Sequence, residues 1–157
     1  MGKSWHQSDE VLAKLEAKTF ELGFTSIGIT DPNVSEHVAF LDAWLESGFH
    51  GSMKWFEQHL DLRKDPTRLV EGTQRVISVR LDYLPENTNC IDILNDADKA
   101  YISRYALGRD YHKLMRRRLK QLGDWLTEEI QPHGFRVFSD SAPILEKHLA
   151  EKAGLGW

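Results

Sequence analysis

The chain has 157 residues, 41% hydrophobic and 28% charged, with 20 Lys and Arg against 24 Asp and Glu for a formal net charge of −4. That length and balance suit one globular domain with a proper core, and give no global cationic excess for nucleic acid or an anionic membrane, so any such contact needs a local patch. No apolar run approaches the ~20 residues of a membrane span, the N-terminus lacks the apolar region of a secretion signal, and a single cysteine, Cys90, allows no internal disulfide, which together predict a cytoplasmic protein.

In chain order, Ser8 is placed to cap a helix that carries Val11, Leu12, Leu15 and Phe20 toward a core and stops at Gly23. Residues 24–30, F-T-S-I-G-I-T, are β-branched and aromatic and run into Asp31-Pro32, which predicts a strand ending in a turn. Gly28 inside it lets another backbone or a ligand come close. Ser35 is placed to cap a second helix, with Val38, Leu41, Trp44 and Leu45 at helical spacing before Gly48. Ser52 would cap a short third helix. After the segment L-D-L-R-K-D-P and a turn through Glu71-Gly72-Thr73, residues 75–83 alternate cleanly and predict the strongest strand, ended by Pro85. Residues 86–99 are polar and predict a surface loop with a helical turn around Ile91 and Leu94.

A long helix is predicted over residues 111–130, capped by Asp110, with a buried stripe of Met115, Leu119, Leu122, Leu126 and Ile130. Gly123 in its middle costs about 1 kcal/mol relative to Ala, which points to close packing there. Gly134 stops that helix. Residues 135–139 predict a third strand, and a turn at Asp140-Ser141 leads into a last helix with Pro143 in its first turn, Leu145, Leu149 and Ala153 on one face and Gly154 at its end. The order of elements suits helices covering a sheet in a single α/β or α+β layer domain. The glycine-punctuated end Gly154-Leu155-Gly156-Trp157 predicts the front part of a longer protein; the alternative is a natural terminus with Trp157 packed back on the core.

Three features carry chemistry. Asp140, at the predicted strand-to-helix corner, is either a cap for the last helix or a reactive carboxylate at the rim of a pocket. Lys113, Arg116, Arg117, Arg118 and Lys120 crowd the first half of the long helix, where cations oppose the macrodipole by about 0.3–1 kcal/mol each. They form either a docking face for an anionic partner such as RNA phosphates or a solvated face partly neutralised by acids such as Asp110. Arg63 either binds something or pairs with Asp61 or Asp65, and Tyr105 and Tyr111 either line a site or pack. The seven histidines show no H-x-H or H-E-x-x-H spacing, so no metal site is expected within the chain. No G-x-G-x-x-G, Walker loop or G-x-S-x-G is present.

Two long motifs, S-R-Y-A-L-G-R-D-Y-H-K-L at residues 103–114 and D-S-A-P-I-L-E-K-H-L-A-E-K-A-G-L-G-W at residues 140–157, together resemble the N-terminal domain of epoxyqueuosine reductases. E-L-G-F-T-S-I-G-I-T (residues 21–30), A-W-L-E-S-G-F-H-G-S-M (43–53), R-K-D-P from Arg63 and R-V-I-S-V-R-L-D-Y-L-P (75–85) agree in order, so the resemblance covers nearly the whole chain. It implies a nitroreductase-like cobalamin-binding α+β domain with a central, mainly antiparallel sheet flanked by helices, spanning residues 1–157 ahead of a ferredoxin-like domain.

The implied activity is the last step of queuosine synthesis, removal of the epoxide oxygen of epoxyqueuosine in tRNA. The implied cofactors are cobalamin and two 4Fe–4S clusters, fed by an electron donor. Carried over residue by residue, Asp140 is the proton donor and, with Arg63 and Ser103, contacts cobalamin. Asp110, Tyr111 and His112, with Tyr105 beside them, match the motif that faces cofactor or substrate, and Lys113, Arg116, Arg117 and Arg118 gain weight as a tRNA-facing surface. A carboxyl group buried against a corrin would have a raised pKa and hold a proton near neutrality. The family continues past G-L-G-W into its cysteine-rich cluster domain, so this chain alone is expected to lack the clusters and turnover. A monomer without membrane contact is expected. The competing readings are a non-enzymatic corrinoid or flavin carrier of the same fold and an RNA-binding module driven by the basic helix.

Overall fold

A computed structural model describes residues 9–84 and 89–156; the predicted cap at Ser8, the stop at Pro85, the loop residues 86–88 and the packing of Trp157 lie outside the described residues. The strongest alternation in the sequence forms a strand, β2 (Val76–Arg80), shorter than residues 75–83. It pairs antiparallel with β1 (Ser26–Thr30), Ser26 opposite Arg80 and Thr30 opposite Val76. The Thr25 N–H and hydroxyl both donate to the Arg80 carbonyl, at 2.8 and 3.1 Å, so the ladder runs one residue beyond the strand. The expected sheet is therefore antiparallel, and among the described residues it has two strands.

The third strand expected over residues 135–139 does not form. Its side chains are spent elsewhere. The Phe135 ring lies where a side chain at Gly123 would have to sit, Arg136 stacks over Phe138 at 5.0 Å, and Arg136 donates to the Leu69 carbonyl at 3.5 Å. The close packing expected at Gly123 is thus real, and its occupant is the segment read as a strand.

The helices are α1 (Asp9–Glu21), α2 (Ser35–Glu46), α3 (Leu60–Lys64), α4 (Cys90–Asn95), α5 (Tyr111–Trp125) and α6 (Glu146–Lys152), with 3-10 turns at Lys54–Phe56, Pro66–Arg68 and Arg104–Ala106. The helix predicted over 111–130 appears as α5 followed by a π-helical turn, Leu126–Ile130. Leu15 of α1 meets Leu122 and Leu126, with Ile27, Ile29, Ile77 and Val79 of the sheet packed against them. Phe20, expected in this core, is exposed, as is Leu12. Leu15 and Thr19, four apart, define the inward line of α1, the Thr19 hydroxyl donating to the Leu15 carbonyl at 2.8 Å, and Phe20 lies a further step round the helix.

The helix stops follow the sequence better than the starts. At Gly23, Gly48 and Gly154 the glycine N–H donates back three residues and the following N–H back five, closing α1, α2 and α6 with the same pair of bonds, and each glycine has positive φ. Ser35 and Ser52, expected to cap, do not: the residues at those cap positions are Val34 and Met53, without side-chain bonds. Asn33 Oδ1 accepts from Ser35 N at 2.9 Å and takes over the role predicted for Ser35. The last helix begins at Glu146, not near Pro143, with Leu145 before it. Gly28 faces α6, and a side chain there would overlap the backbone of Ala153; the close approach expected at Gly28 is that of another backbone.

Candidate active site

Asp110 caps α5, its Oδ1 accepting the His112 N–H at 3.0 Å. The cap fixes where the first side chains of the helix point. The Tyr111 and His112 rings stack, centroids 4.1 Å apart and 25° between planes, and both reach residue 140. The Tyr111 hydroxyl donates to Asp140 Oδ2, and His112 Nε2 lies 3.3 Å from that same oxygen. The other ring nitrogen, His112 Nδ1, is 2.9 Å from Asp110 Oδ1. His112 thus bridges two carboxylates: protonated on both nitrogens it donates to both, and neutral it serves only one.

Asp140 sits in a three-residue turn closed by Ser141 N donating to the Ser139 carbonyl at 2.7 Å, with its own φ at 57°. A left-handed non-glycine backbone costs about 1–2 kcal/mol, an expense Asp tolerates better than most residues. Of the two readings of this residue, the cap fails, because the α6 cap position is Leu145 and six positions separate Asp140 from the helix start. Its carboxylate faces α5 instead. The side chain is half exposed at 49%, so the burial that the resemblance implied is not supplied by the described residues.

The electrostatics follow from this geometry. Hydrogen bonding to Asp140, with partial desolvation and the carboxylate's charge behind it, pushes the Tyr111 phenol up to about 12. The His112 side chain and then its backbone N–H hold Asp110 below the usual carboxylate range. Desolvation, and then the charge of Asp140, push Glu146 up. A second tie reaches the turn from α5, Arg116 donating to Ser141 Oγ at 2.8 Å. Aromatic rings continue the cluster outward: Tyr105 meets Tyr111 edge-on at 6.2 Å, and Tyr83 meets Tyr105 at 6.4 Å.

The structure therefore brings Tyr105, Asp110, Tyr111, His112 and Asp140 into one cluster. Ser103 precedes the Arg104–Ala106 turn, exposed, its carbonyl accepting from Ala106 N; it has no bond to Asp140 among the described residues. Arg63 lies in a separate nest, buried, its guanidinium 4.4 Å from the Phe56 ring and 5.8 Å from Trp55. Neither acid weighed as its partner takes it: Asp61 pairs with Arg68, and Asp65 accepts from Thr67. Arg63 Nε is buried without a hydrogen bond, and burial lowers the guanidinium pKa.

The basic residues of α5 divide. Lys113, Arg116, Arg117 and Lys120 recur every three or four positions along one stripe. Arg118 lies against Gly23, and Lys120 pairs with Asp124 at 2.6 Å. Tyr83, Ser141 and Glu146 were not singled out from sequence; only the adjacency of Ser141 to Asp140 could have signalled any of them. A cleft of about 260 Å³ lined by Leu12, Leu15, Ile27, Gly28 and Ala153 shares no residue with the cluster.

A family profile described as "Epoxyqueuosine reductase QueG, DUF1730" matches residues 63–141, half of the chain, and holds both the Asp110 to His112 run and Asp140. The chain belongs to the epoxyqueuosine reductase QueG family. Among curated proteins named epoxyqueuosine reductase, one from Pseudomonas aeruginosa is 56% identical over 137 residues, one from Aliivibrio fischeri 57% over 144 and one from Escherichia coli 50% over 149. The alignments cover 87%, 92% and 95% of this chain but 38%, 38% and 39% of those relatives. The chain thus spans about two fifths of the length of the epoxyqueuosine reductases it matches. No solved structure matches, and no helix among the described residues is long and apolar enough to cross a membrane.

Proposed function

We propose that residues 1–157 form the cobalamin-binding, proton-donating part of an epoxyqueuosine reductase acting on tRNA in the cytoplasm, with the iron–sulfur ligands in a further domain. The observation that carries this is the shared engagement of Asp140 Oδ2 by Tyr111 and His112, since it joins the two longest family motifs at one oxygen. The reaction consumes two electrons and two protons: both bonds from the epoxide oxygen to carbon break, a carbon–carbon double bond forms, and the oxygen leaves as water. Opening the ring develops negative charge on that oxygen, and an acid placed there makes it a better leaving group. Asp140 is the group for that proton. His112, between Asp140 and Asp110, is positioned to return one to it.

The residues suit a corrin on two counts. A corrin has broad ring faces and amide side chains that accept hydrogen bonds. Tyr105, edge-on to Tyr111, and Tyr83, edge-on to Tyr105, carry exposed rings outward from the Asp140 cluster, and in its separate nest Arg63 has a buried Nε without a partner. Arg63, Ser103 and Asp140 would hold the cobalamin. When bound, cobalamin fed by two 4Fe–4S clusters and an electron donor supplies the reducing equivalents; orientation and protonation fall to the protein. The antiparallel pair flanked by helices supports the finer fold within the same proposal, a nitroreductase-like cobalamin-binding domain.

The test uses full-length protein containing this segment. Asp140→Asn is expected to take up cob(II)alamin as the parent does in a visible-absorption titration, and to reduce epoxyqueuosine about 10²–10⁴-fold more slowly. Undiminished turnover would refute the acid role. Corrinoid uptake with no reductase activity in the parent protein would leave a carrier of the same fold.

A further inference from the structure

Away from Asp140, a pair of histidines from opposite ends of the sequence meets face to face. His37 is the third residue of α2 and His148 the third of α6, more than 100 positions later. Their rings stack with centroids 3.4 Å apart and 25° between planes. His148 is 7% exposed. The Nδ1 atoms of both rings are buried and have no hydrogen-bond partner among the described residues. Buried polar atoms in native proteins are nearly always satisfied, so two orphans within one stacked pair of rings call for an explanation.

A third donor stands beside them. Glu151 follows His148 by three positions on α6, which places the two on the same helix face. One ring nitrogen from each histidine and one Glu151 oxygen all lie within 4.8 Å of one another. Ligands around a tetrahedral zinc, at metal distances of 2.0–2.1 Å, stand roughly 3.3 Å apart, and the ion lies in the plane of each imidazole. Coordination therefore requires the donors to close by up to about 1.5 Å and the two rings to swing out of their stack until their lone pairs meet at one point.

We propose that His37, His148 and Glu151 bind one divalent transition-metal ion of the zinc type, and that this ion ties α6 to α2. Two imidazoles and one carboxylate suit zinc, cobalt or nickel; calcium and magnesium prefer all-oxygen sets. Coordination takes each imidazole in its neutral form, releasing any proton it carried. The nearby cation is already engaged, Lys152 donating to Asp31 Oδ1 at 2.7 Å and to the Asn33 carbonyl at 2.9 Å. The sequence offered no sign of the site, because its histidines become neighbours only when α6 packs beside the start of α2.

The experiment titrates the metal-free full chain with Co²⁺, followed by displacement with Zn²⁺. One equivalent of cobalt is expected to develop visible ligand-field bands that zinc abolishes, and zinc is expected to raise the thermal unfolding midpoint. His37→Gln and His148→Gln should each weaken binding by about 100-fold or more, and Glu151→Gln by about 10-fold, since even outer-shell changes cost 10–100-fold. His133→Gln and Cys90→Ser should leave the titration unchanged. If His148→Gln does not fold by circular dichroism, the half-buried His37 and the exposed Glu151 variants decide. Absence of a one-to-one cobalt spectrum in the folded parent chain, or a spectrum that survives loss of His37 or depends on Cys90, overturns the proposal.

Discussion

At Tyr111 the geometry turns into a pH dependence. The phenol is raised from an ordinary 10.0 to about 12 because it donates to a carboxylate. A group whose folded pKa lies above its unfolded value contributes stability that is complete below the unfolded value and disappears as pH climbs through the folded one. The parent chain is therefore expected to be more stable than Tyr111→Phe below about pH 10, with the difference closing toward about pH 12. Urea midpoints of the two proteins across that window provide the measurement, and a gap that stays constant with pH would show that the phenol does not bond Asp140 in solution. Arg63 teaches a complementary lesson. The acids next to it in sequence looked like natural partners, yet Asp61 serves Arg68 and Asp65 serves Thr67, so local spacing misjudged the very residue the family motif had marked.

Elements were legible in proportion to how local their causes are. Asp110 as the α5 cap, the stops at Gly23, Gly48 and Gly154 and the alternation of β2 depend on a few neighbouring residues, and all three were readable. The stop expected at Gly134 falls earlier, the helical run ending at Ile130 with Gln131 as its cap. The strand expected at 135–139 depended on finding a partner edge, and its Phe135 found Gly123 instead. The start of α6 was misplaced because Pro143 permits a first turn without demanding one. The Asp140 cluster was half readable. The sequence motifs held its members, but that residues 111 and 112 both meet residue 140 is a fact of packing. Two substitutions probe this scale. Asp110→Ala should cost about 1 kcal/mol as a lost cap, with Asp110→Ser retaining most of it. Gly28→Ala should cost about 1–3 kcal/mol, because it must push α6 off the sheet at Ala153. Chemical denaturation reads both; a neutral Gly28→Ala would mean that α6 sits farther from β1 than described.

On the scale of the molecule, a chain of net charge −4 carries a stripe of cations on one helix. If that stripe meets tRNA, each phosphate contact contributes about 0.7–0.9 to the slope of log affinity against log salt. Neutralising Lys113 and Arg117 together should therefore lower the slope by about 1.4–1.8 in full-length protein, read from filter binding at several salt concentrations. Arg118 serves as the contrast. Its guanidinium rests against Gly23, so Arg118→Ala is expected to lower the unfolding midpoint and leave the salt slope alone. An unchanged slope in the double variant would remove the stripe from the tRNA interface and return it to plain solvation.

The left-handed backbone at Asp140 sets durability against chemistry at a single position. Glycine would sit there at ease, whereas alanine would inherit the awkward torsion and offer nothing in return. Asp140→Gly should accordingly unfold about 1 kcal/mol later than Asp140→Ala, as calorimetry can show, although both have lost the same carboxylate. Backbone ease and chemistry thus part company at this turn: the glycine variant would be the more durable of the two, and by the reading above just as idle.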